Sequence, residues 1–360
     1  MHLKPILSRI FVGALLYELS NVHATPIPQA SDVHQTASRA ERDVQWWNQL
    51  LTRPWIAIDR RYPDPDGGYT KSCLGYGVRS EDVLTRDLTK TFANHPGLLD
   101  PKSALNTPGN NHAYIHTVRI EGAQLPVLVK TLDPEVHPVG SEVFALEKLK
   151  ALQDKEHKRV DTRRKELERE AGELTEEKRM EIEWRLRKEL PWGVQPKSFL
   201  KAGFADMQGK RWALILMAQL PGHDLTTTEE WKHSDPRMKA HLLKLAFYSF
   251  LFKVHDLAVQ TGMLYVWIPS DNKLVSDLDL TNLLYDPRVG DFSLVDFGPP
   301  SMFEVTSEFP SDVKEFLKDG WFIERFQFSC GRAILETYGH FQIPKPDTLD
   351  GNNWWKMSPY

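Results

Sequence analysis

Alternating hydrophobic and polar positions predict two neighbouring β-strands, over residues 112–120 and 125–132. The pair Glu121-Gly122 separates the two strands and suits a turn. From Ser141 the apolar positions recur at the period of a helix that is buried along one face. The apolar positions of that face are Val143, Leu146, Leu149 and Leu152. This part of the chain therefore predicts two strands followed by a helix.

A second group of elements is predicted from longer apolar runs. Residues 212–220 are almost continuously apolar and end at Pro221-Gly222, which predicts a strand buried on both faces. Residues 238–257 have the length and apolar content of a buried helix. Four shorter elements are predicted beyond that helix: strands over 283–285 and 292–295, and helices over 311–318 and 322–338.

Charged residues dominate the segment 154–189. Lysine, arginine and glutamate at this density favour a long solvated helix with ion pairs between residues four apart. Trp184 and Leu186 leave one sparse apolar side on that helix. We interpret residues 153–190 as a charged helical insertion within a larger domain, and residues 154–190 as a possible docking surface for a protein partner.

The composition is that of an ordinary globular chain. Of the 360 residues, 41% are hydrophobic and 26% are charged, which is enough for one large domain or two lobes. The formal net charge of -4 provides no general attraction to nucleic acid or to anionic membranes, so we expect neither as a partner. The two cysteines, Cys73 and Cys330, cannot form a zinc site alone, and whether they pair with each other is open.

The N-terminus has the features of a secretory signal. Lys4 and Arg9 precede an apolar stretch over residues 10–19, which is shorter than the ~20 residues that a membrane anchor needs. Val-His-Ala at 22–24 suits a signal peptidase, so residues 1–24 are predicted to be removed. No later segment is long and apolar enough to span a bilayer. We therefore expect a secreted protein, either extracellular or in the lumen of the secretory pathway.

The residues best suited to catalysis are two aspartates and an asparagine. Asp277 is followed five residues later by Asn282, and Asp296 begins an Asp-Phe-Gly sequence. Carboxylate and amide oxygens are ligands for Mg²⁺ beside nucleotide phosphates, and phosphoryl transfer also needs a carboxylate that faces the attacking hydroxyl. Asn282 and Asp296 suit the metal, and Asp277 suits the hydroxyl. Taken singly, each residue also fits a structural role as a cap or a turn residue.

In their order along the chain, these motifs resemble those of the protein-kinase-like superfamily over residues 105–340. The strand that ends in Lys130 resembles the kinase strand whose lysine contacts the α- and β-phosphates of ATP. Glu142, with a leucine four residues later, resembles the helix glutamate that pairs with that lysine, and it fits the pattern better than Glu147 does. The segment 216–222 resembles the hinge between the two kinase lobes.

The resemblance implies further contacts with a nucleotide. The hinge backbone at Ala218 or Gln219 would meet the adenine, and Gly109 is what remains of a glycine-rich phosphate loop. The resemblance also implies ATP and Mg²⁺ as cofactors, and an unidentified protein or small molecule as the phosphate acceptor.

Several residues depart from the kinase pattern. Val275 and Ser276 stand where kinases usually carry histidine and arginine. Asp279 stands where many kinases have a phosphate-contacting lysine, which places a second acid beside the transferred phosphate. A pair of prolines, Pro299-Pro300, directly follows the Asp-Phe-Gly, and no Ala-Pro-Glu sequence follows it. We therefore expect an abbreviated substrate-binding region that differs from that of ordinary protein kinases.

We predict an α+β, two-lobed protein-kinase-like fold with a small β-rich N-lobe, an abbreviated helical C-lobe and the charged helical insertion. The predicted order is an N-terminal extension with an amphipathic helix over 25–70, an N-lobe over 71–222, a C-lobe over 223–345 and a C-terminal tail over 346–360. The predicted function is a secreted kinase-like phosphotransferase that uses ATP and Mg²⁺. The alternative is a secreted pseudokinase or effector that binds a protein partner without catalysis.

Overall fold

The computed structural model describes the central part of the chain, namely residues 50, 52–57, 74, 75, 77–105, 114–120, 126–137, 139–195, 197–266, 283–297, 302–318, 320–323 and 326. The predicted signal peptide, the two cysteines and the C-terminal tail lie outside these residues, as do most of the predicted helices near the two ends of the chain.

The described residues form a mixed α+β fold, as predicted. The helices are α1 (Ser80–Val83), α2 (Thr89–Phe92), α3 (Val139–Ala171), α4 (Glu176–Glu189), α5 (Glu229–His233), α6 (Pro236–Thr261) and α7 (Val313–Leu317). The strands are β1 (Tyr114–Val118), β2 (Val127–Leu132), β3 (Phe199–Met207), β4 (Lys210–Ala218), β5 (His223–Asp224), β6 (Met263–Tyr265), β7 (Leu283–Asp286), β8 (Asp291–Leu294) and β9 (Met302–Glu304). Short 3₁₀ turns lie at Pro96–Leu99 and Leu225–Thr227. None of the described helices has the length and apolarity needed to cross a bilayer.

Four antiparallel strands form the main sheet, in the order β1-β2-β4-β3. One face of the sheet packs against α2 and the neighbouring 3₁₀ turn, through Phe92 and Leu98. The other face packs against α3. Because side chains alternate along a strand, the even-numbered residues of β2 lie toward α3 and the odd-numbered ones lie on the opposite side.

The strand β3 is the one member of this sheet that the hydrophobic pattern does not predict. Gly203 and a lysine interrupt its apolar positions. The structure explains the glycine, because a Cβ atom there would lie 2.5 Å from the Arg86 carbonyl oxygen. The backbone of residues 86–88 hydrogen-bonds to this strand, with Leu88 N–H donating to the Phe204 carbonyl.

The helix α6 lies at the centre of the second part of the core. Its first turn is capped by Asp235, whose carboxylate accepts from Met238 N–H, and it ends at Gly262 in the left-handed conformation. Its apolar faces pack against a group of aromatic side chains that includes Phe316, Trp321, Phe322 and Phe326. The sheets β5-β7-β8 and β6-β9 complete this part of the molecule.

The charged segment 154–189 differs from the single solvated helix predicted for it. It is the end of α3, followed by a turn at Gly172 and by α4, whose first turn is capped by Thr175. The two helices enclose a small apolar core of their own, formed by Val160, Leu167, Ile182, Leu186 and Leu190. The apolar positions are too widely spaced to form a continuous stripe on one helix, but two helices together bury them. We call residues 154–189, the end of α3 together with α4, the helical hairpin.

The ion pairs of the hairpin connect its two helices as well as residues of the same helix. Arg163 Nε lies 2.8 Å from Glu189 Oε2, and Arg164 Nε lies 2.9 Å from Glu183 Oε1. Three pairs along α3 join residues three apart, and Arg185 with Glu189 on α4 is a pair of the predicted spacing of four. The charges of the hairpin therefore help to set how its helices pair.

Candidate functional site

Lys130 is placed by the central strand β2. It lies opposite Ile115 on one side and Ile215 on the other, and its side chain is directed to the face covered by α3. Only 15% of the side chain is exposed. A charged lysine at such a position requires partners, because burying an unpaired ammonium group is costly.

The first turn of α3 supplies one partner. Lys130 Nζ donates to Glu142 Oε1 at 2.8 Å, and 11% of the glutamate side chain is exposed. The start of the helix is held by the preceding segment, because Ser141 Oγ donates to the Gly75 carbonyl at 2.6 Å. Gly140 lies against the Val78 carbonyl, which leaves no room for a Cβ atom. Glu142 thus projects from a helix end that is closely packed on two sides.

The competing glutamate of the same helix has a different partner. Glu147 lies 3.6 Å from Arg86, and both of these side chains are about half exposed. The structure therefore brings Glu142, and not Glu147, to Lys130.

The second partner of Lys130 is Asp296, two residues beyond the end of β8. Lys130 Nζ lies 3.4 Å from Asp296 Oδ1, and 52% of the aspartate side chain is exposed. Asp296 has a φ of 61°, the left-handed conformation that residues other than glycine seldom adopt. Such backbone conformations concentrate at functional sites, where the surrounding structure maintains them.

Of the three charged side chains, Lys130 and Glu142 are largely buried and Asp296 is about half exposed. Burial alone would lower the pKa of Lys130, but the negative charges of Glu142 and Asp296 outweigh it and the net pKa is raised. The ammonium therefore remains charged at neutral pH. An exposed carboxylate beside a fixed ammonium is suited to bind a divalent cation and a phosphate together.

The segment around Asp296 is held by aromatic side chains. Phe297 is buried, with its ring centroid 5.0 Å from that of Tyr265 and 6.1 Å from that of Trp192. The Tyr265 hydroxyl donates to the Val295 carbonyl at 2.8 Å. The carboxylate is thus exposed on a segment whose neighbouring residues are fixed in the core.

The structure describes the backbone of both predicted hinge residues, Ala218 and Gln219. The Ala218 N–H donates to the Ser198 carbonyl at 2.7 Å, so it is not free to donate to an adenine. The sequence could not reveal this bond, because the partner lies at the start of the neighbouring strand. Gln219 is exposed, and within the described residues its N–H has no hydrogen-bond acceptor.

Three of the predicted site residues lie outside the described part of the chain, namely Gly109, Asp277 and Asn282. Their roles therefore stay predictions, and so do the nucleotide-binding roles of Lys130 and Asp296. Of the residues that the structure describes, it brings together Lys130, Glu142 and Asp296.

Sequence reasoning missed Tyr265 and Gln195, which contact the segment before Asp296. Tyr265 donates to Val295, and Gln195 Nε2 donates to the Leu294 carbonyl at 3.0 Å. Neither residue belongs to a motif or follows a periodic pattern that distinguishes it. Both contacts bridge distant parts of the chain and exist only in the folded structure.

Comparisons with known proteins do not show which family the chain belongs to. No family model matches the chain, and no curated protein does either. Among solved structures the chain is similar to one described as the structure of vaccinia related kinase 3, with 12% sequence identity and a TM-score of 0.31. The match covers 71% of this chain and 69% of that chain. A similarity of this size does not establish a common fold, so the functional assignment rests on the geometry of the site.

Proposed function

We propose that this protein is an ATP- and Mg²⁺-dependent phosphotransferase with a two-lobed, protein-kinase-like fold. The observation that supports the proposal is the meeting of Lys130 with both Glu142 and Asp296. These residues come from a strand, the helix that follows it, and a segment more than 150 positions further along the chain. Their order along the chain also matches the order of the kinase motifs that the sequence resembles.

In the proposed reaction, Lys130 contacts the α- and β-phosphates and Glu142 holds the ammonium in position. Asp296 and Asn282 would hold Mg²⁺, which would neutralise charge on the phosphates. The acceptor hydroxyl oxygen attacks the γ-phosphorus while the bond to the β-γ bridging oxygen breaks, and ADP leaves. Asp277 positions the hydroxyl and accepts its proton.

The Lys130–Glu142 pair is suited to this role because it is largely desolvated and fixed by packing. A phosphate that approaches Lys130 meets an ammonium group already oriented by Glu142, so little ordering is needed on binding. Asp296 is more exposed than Glu142 and can exchange its contact with Lys130 for a metal ion.

Calorimetric titration with Mg²⁺-ATP tests the nucleotide site. We expect Glu142→Gln to weaken binding about tenfold, since it removes the charged partner of Lys130. Glu147→Gln is the matched control, because Glu147 lies on the same helix but pairs with Arg86, and we expect a change of less than about twofold. Asp296→Ala should abolish the Mg²⁺-dependent part of binding. Unchanged affinity in both Glu142→Gln and Asp296→Ala contradicts the assignment.

Autophosphorylation with labelled ATP tests the reaction itself. Wild-type protein should incorporate label, and Asp277→Asn should not, while it still binds Mg²⁺-ATP. Incorporation by both proteins at equal rates contradicts the role of Asp277.

One observation favours the alternative function of a protein-binding pseudokinase or effector. The hinge N–H of Ala218 is already bonded to Ser198, which removes one donor that an adenine would use. The two functions differ in one measurement, since a binding module shows no thermal shift at millimolar ATP with Mg²⁺. The exposed hairpin then becomes the first surface to test for a protein partner.

We also propose that the protein is secreted. The support is the N-terminal pattern of two basic residues, a short apolar stretch, and the small residues Val22 and Ala24. N-terminal sequencing of exported protein should begin at Thr25. An exported chain that keeps residues 1–24 contradicts cleavage, and retention of the whole chain inside the cell contradicts export.

A further inference from the structure

Gln195 lies in the turn between α4 and β3, and it connects the helical hairpin to the candidate site. Its side chain is 2% exposed. The turn itself is closed by backbone bonds, in which Gln195 N–H donates to the Trp192 carbonyl and Val194 N–H donates to the Leu190 carbonyl. Gln195 is therefore a buried polar residue at the base of the hairpin.

The backbone of Gln195 is held by two side chains of α3. Its carbonyl oxygen accepts from Gln153 Nε2 at 3.0 Å and from His157 Nε2 at 2.9 Å. Both donors lie on the helix that carries Glu142 at its first turn. The position of Gln195 is thus tied to the position of α3.

The side chain of Gln195 reaches the strand that precedes Asp296. Its Nε2 donates to the Leu294 carbonyl at 3.0 Å, and Leu294 is two residues before Asp296. The side-chain amide of Gln195 must present its NH₂ group to the Leu294 carbonyl, because in the opposite orientation two acceptor oxygens would face each other. Gln195 Oε1 is buried and has no hydrogen-bond partner within the described part of the chain.

Two consecutive carbonyl groups before Asp296 are therefore held from outside the strand. Gln195 holds the carbonyl of Leu294, and Tyr265 holds the carbonyl of Val295. The next residue, Asp296, has the left-handed conformation and directs its carboxylate to Lys130. Such a conformation persists only when neighbouring contacts oppose its relaxation.

We propose that Gln195 is a positioning residue for the Asp296 carboxylate, and that it couples the helical hairpin to the metal-binding side of the candidate site. The consequence for Mg²⁺ binding rests on the proposed phosphotransferase function, but the structural coupling does not. The helical hairpin then helps to position the Asp296 carboxylate in the candidate site.

Hydrogen exchange tests the coupling without any ligand. Gln195→Met keeps the length and bulk of the side chain but removes the donor to Leu294. Amide exchange over residues 294–297 should rise at least about fivefold, since the contacts that oppose local opening are weakened. Ser249→Ala is the matched control. Ser249 is equally buried and donates to Asp291 Oδ1 at 2.9 Å, at the other end of the same strand.

The outcomes of this measurement are distinct. Faster exchange at 294–297 in Gln195→Met but not in Ser249→Ala supports the proposal. Equal exchange in Gln195→Met and wild type overturns it, and so does an equal rise in the two variants. If Gln195→Met does not fold, Gln195→Asn replaces it, because its amide is one methylene shorter and cannot keep the 3.0 Å contact.

Titration of Mg²⁺ at fixed ATP tests the functional consequence. In Gln195→Met the Mg²⁺ concentration for half-maximal ATP binding should rise about three- to tenfold, while the affinity for ATP without metal stays within about twofold. Unchanged Mg²⁺ dependence overturns the positioning role. If wild-type protein binds no Mg²⁺-ATP, the phosphotransferase proposal fails, and the exchange experiment still decides whether Gln195 positions Asp296.

Discussion

Lys130 Nζ lies 3.4 Å from Asp296 Oδ1, although 166 positions separate the two residues in the chain. The same ammonium group lies 2.8 Å from Glu142. The lysine therefore joins the main sheet, the start of α3 and the segment after β8 at one point. Four predictions test the Lys130–Glu142 pair, the packing at the start of α3, the buried Asp256 and the core of the helical hairpin.

The first prediction concerns the energy of the Lys130–Glu142 pair. A double-mutant cycle with Lys130→Met and Glu142→Gln should give a coupling of about 2 kcal/mol or more in the free energy of unfolding. The reason is that the pair is largely buried. Lys130→Met leaves the charge of Glu142 without its partner, and Glu142→Gln leaves Lys130 with only the more distant and more exposed Asp296. Urea denaturation measures the four proteins of the cycle, and Asp296 is present in all of them.

The pair of Arg86 with Glu147 is the control for this cycle. It also joins α3 to a distant part of the chain, the segment between α1 and α2, but both side chains are about half exposed. Water and salt screen such a pair, so we expect a coupling under about 1 kcal/mol. Equal couplings in the two cycles contradict the view that burial distinguishes Glu142 from Glu147.

The second prediction concerns the packing of the start of α3. In Gly140→Ala the new methyl group would lie 2.0 Å from the Val78 carbonyl oxygen, so the helix end or the 77–79 segment must move. We expect a loss of about 1–3 kcal/mol in stability, even though alanine favours helix formation. Gly97→Ala is the control, since its nearest atom is Ser103 Oγ at 3.8 Å. Equal stability of the two variants contradicts the close packing.

The third prediction concerns pH and Asp256 on α6. Burial raises the pKa of its carboxyl group to about 6, although the backbone N–H of Trp192 donates a hydrogen bond to it at 2.8 Å. Gln260 also bonds to it, and Glu156 and Arg159 of α3 are the nearby charges. Because this pKa is higher in the folded protein than in the unfolded chain, the folded state binds the proton more tightly.

The contribution of Asp256 to stability is therefore fully present below about pH 4 and is lost as the pH rises through about 6. Asp256→Asn keeps an acceptor for the Trp192 N–H and removes the buried charge. We expect this variant to gain on the order of 1–2 kcal/mol over wild type at pH 8, an intermediate amount at pH 5, and little at pH 4 or below. Thermal unfolding across this range measures the difference, and a difference that does not change with pH contradicts the assignment.

The fourth prediction concerns what holds the helical hairpin together. Leu186 is fully buried between α3 and α4, so Leu186→Ala should cost about 2–5 kcal/mol. Arg164→Gln removes an ion pair between the same helices, but its side chains are partly exposed and the loss should be under about 1 kcal/mol. Circular dichroism during denaturation measures both. A larger loss in Arg164→Gln shows that ion pairs, and not the apolar core, stabilise the hairpin.

Local patterns in the sequence predict much of this fold because secondary structure depends on short-range periodicity. The strands that contain Lys130 and residues 212–218 and the helix α6 agree with their predicted positions to within a few residues. The charged segment was predicted wrongly as one helix, because its buried positions are shared between two helices. The hydrophobic pattern does not predict strand β3, because Gly203 interrupts its apolar positions. The glycine is required by the close approach of the Arg86 carbonyl, which the pattern does not record.

The sequence alone determined which residues are chemically able to form the site, since carboxylates and a strand lysine can be recognised from residue type and order. Only the tertiary structure decided which of them meet. In the folded protein Glu142 pairs with Lys130, whereas Glu147 pairs with Arg86. The Ala218 N–H donates to the Ser198 carbonyl. Gln195 and Tyr265 donate to the two carbonyl groups that precede Asp296. These contacts join residues far apart in the chain, and the packing of whole elements sets them, which no local pattern records.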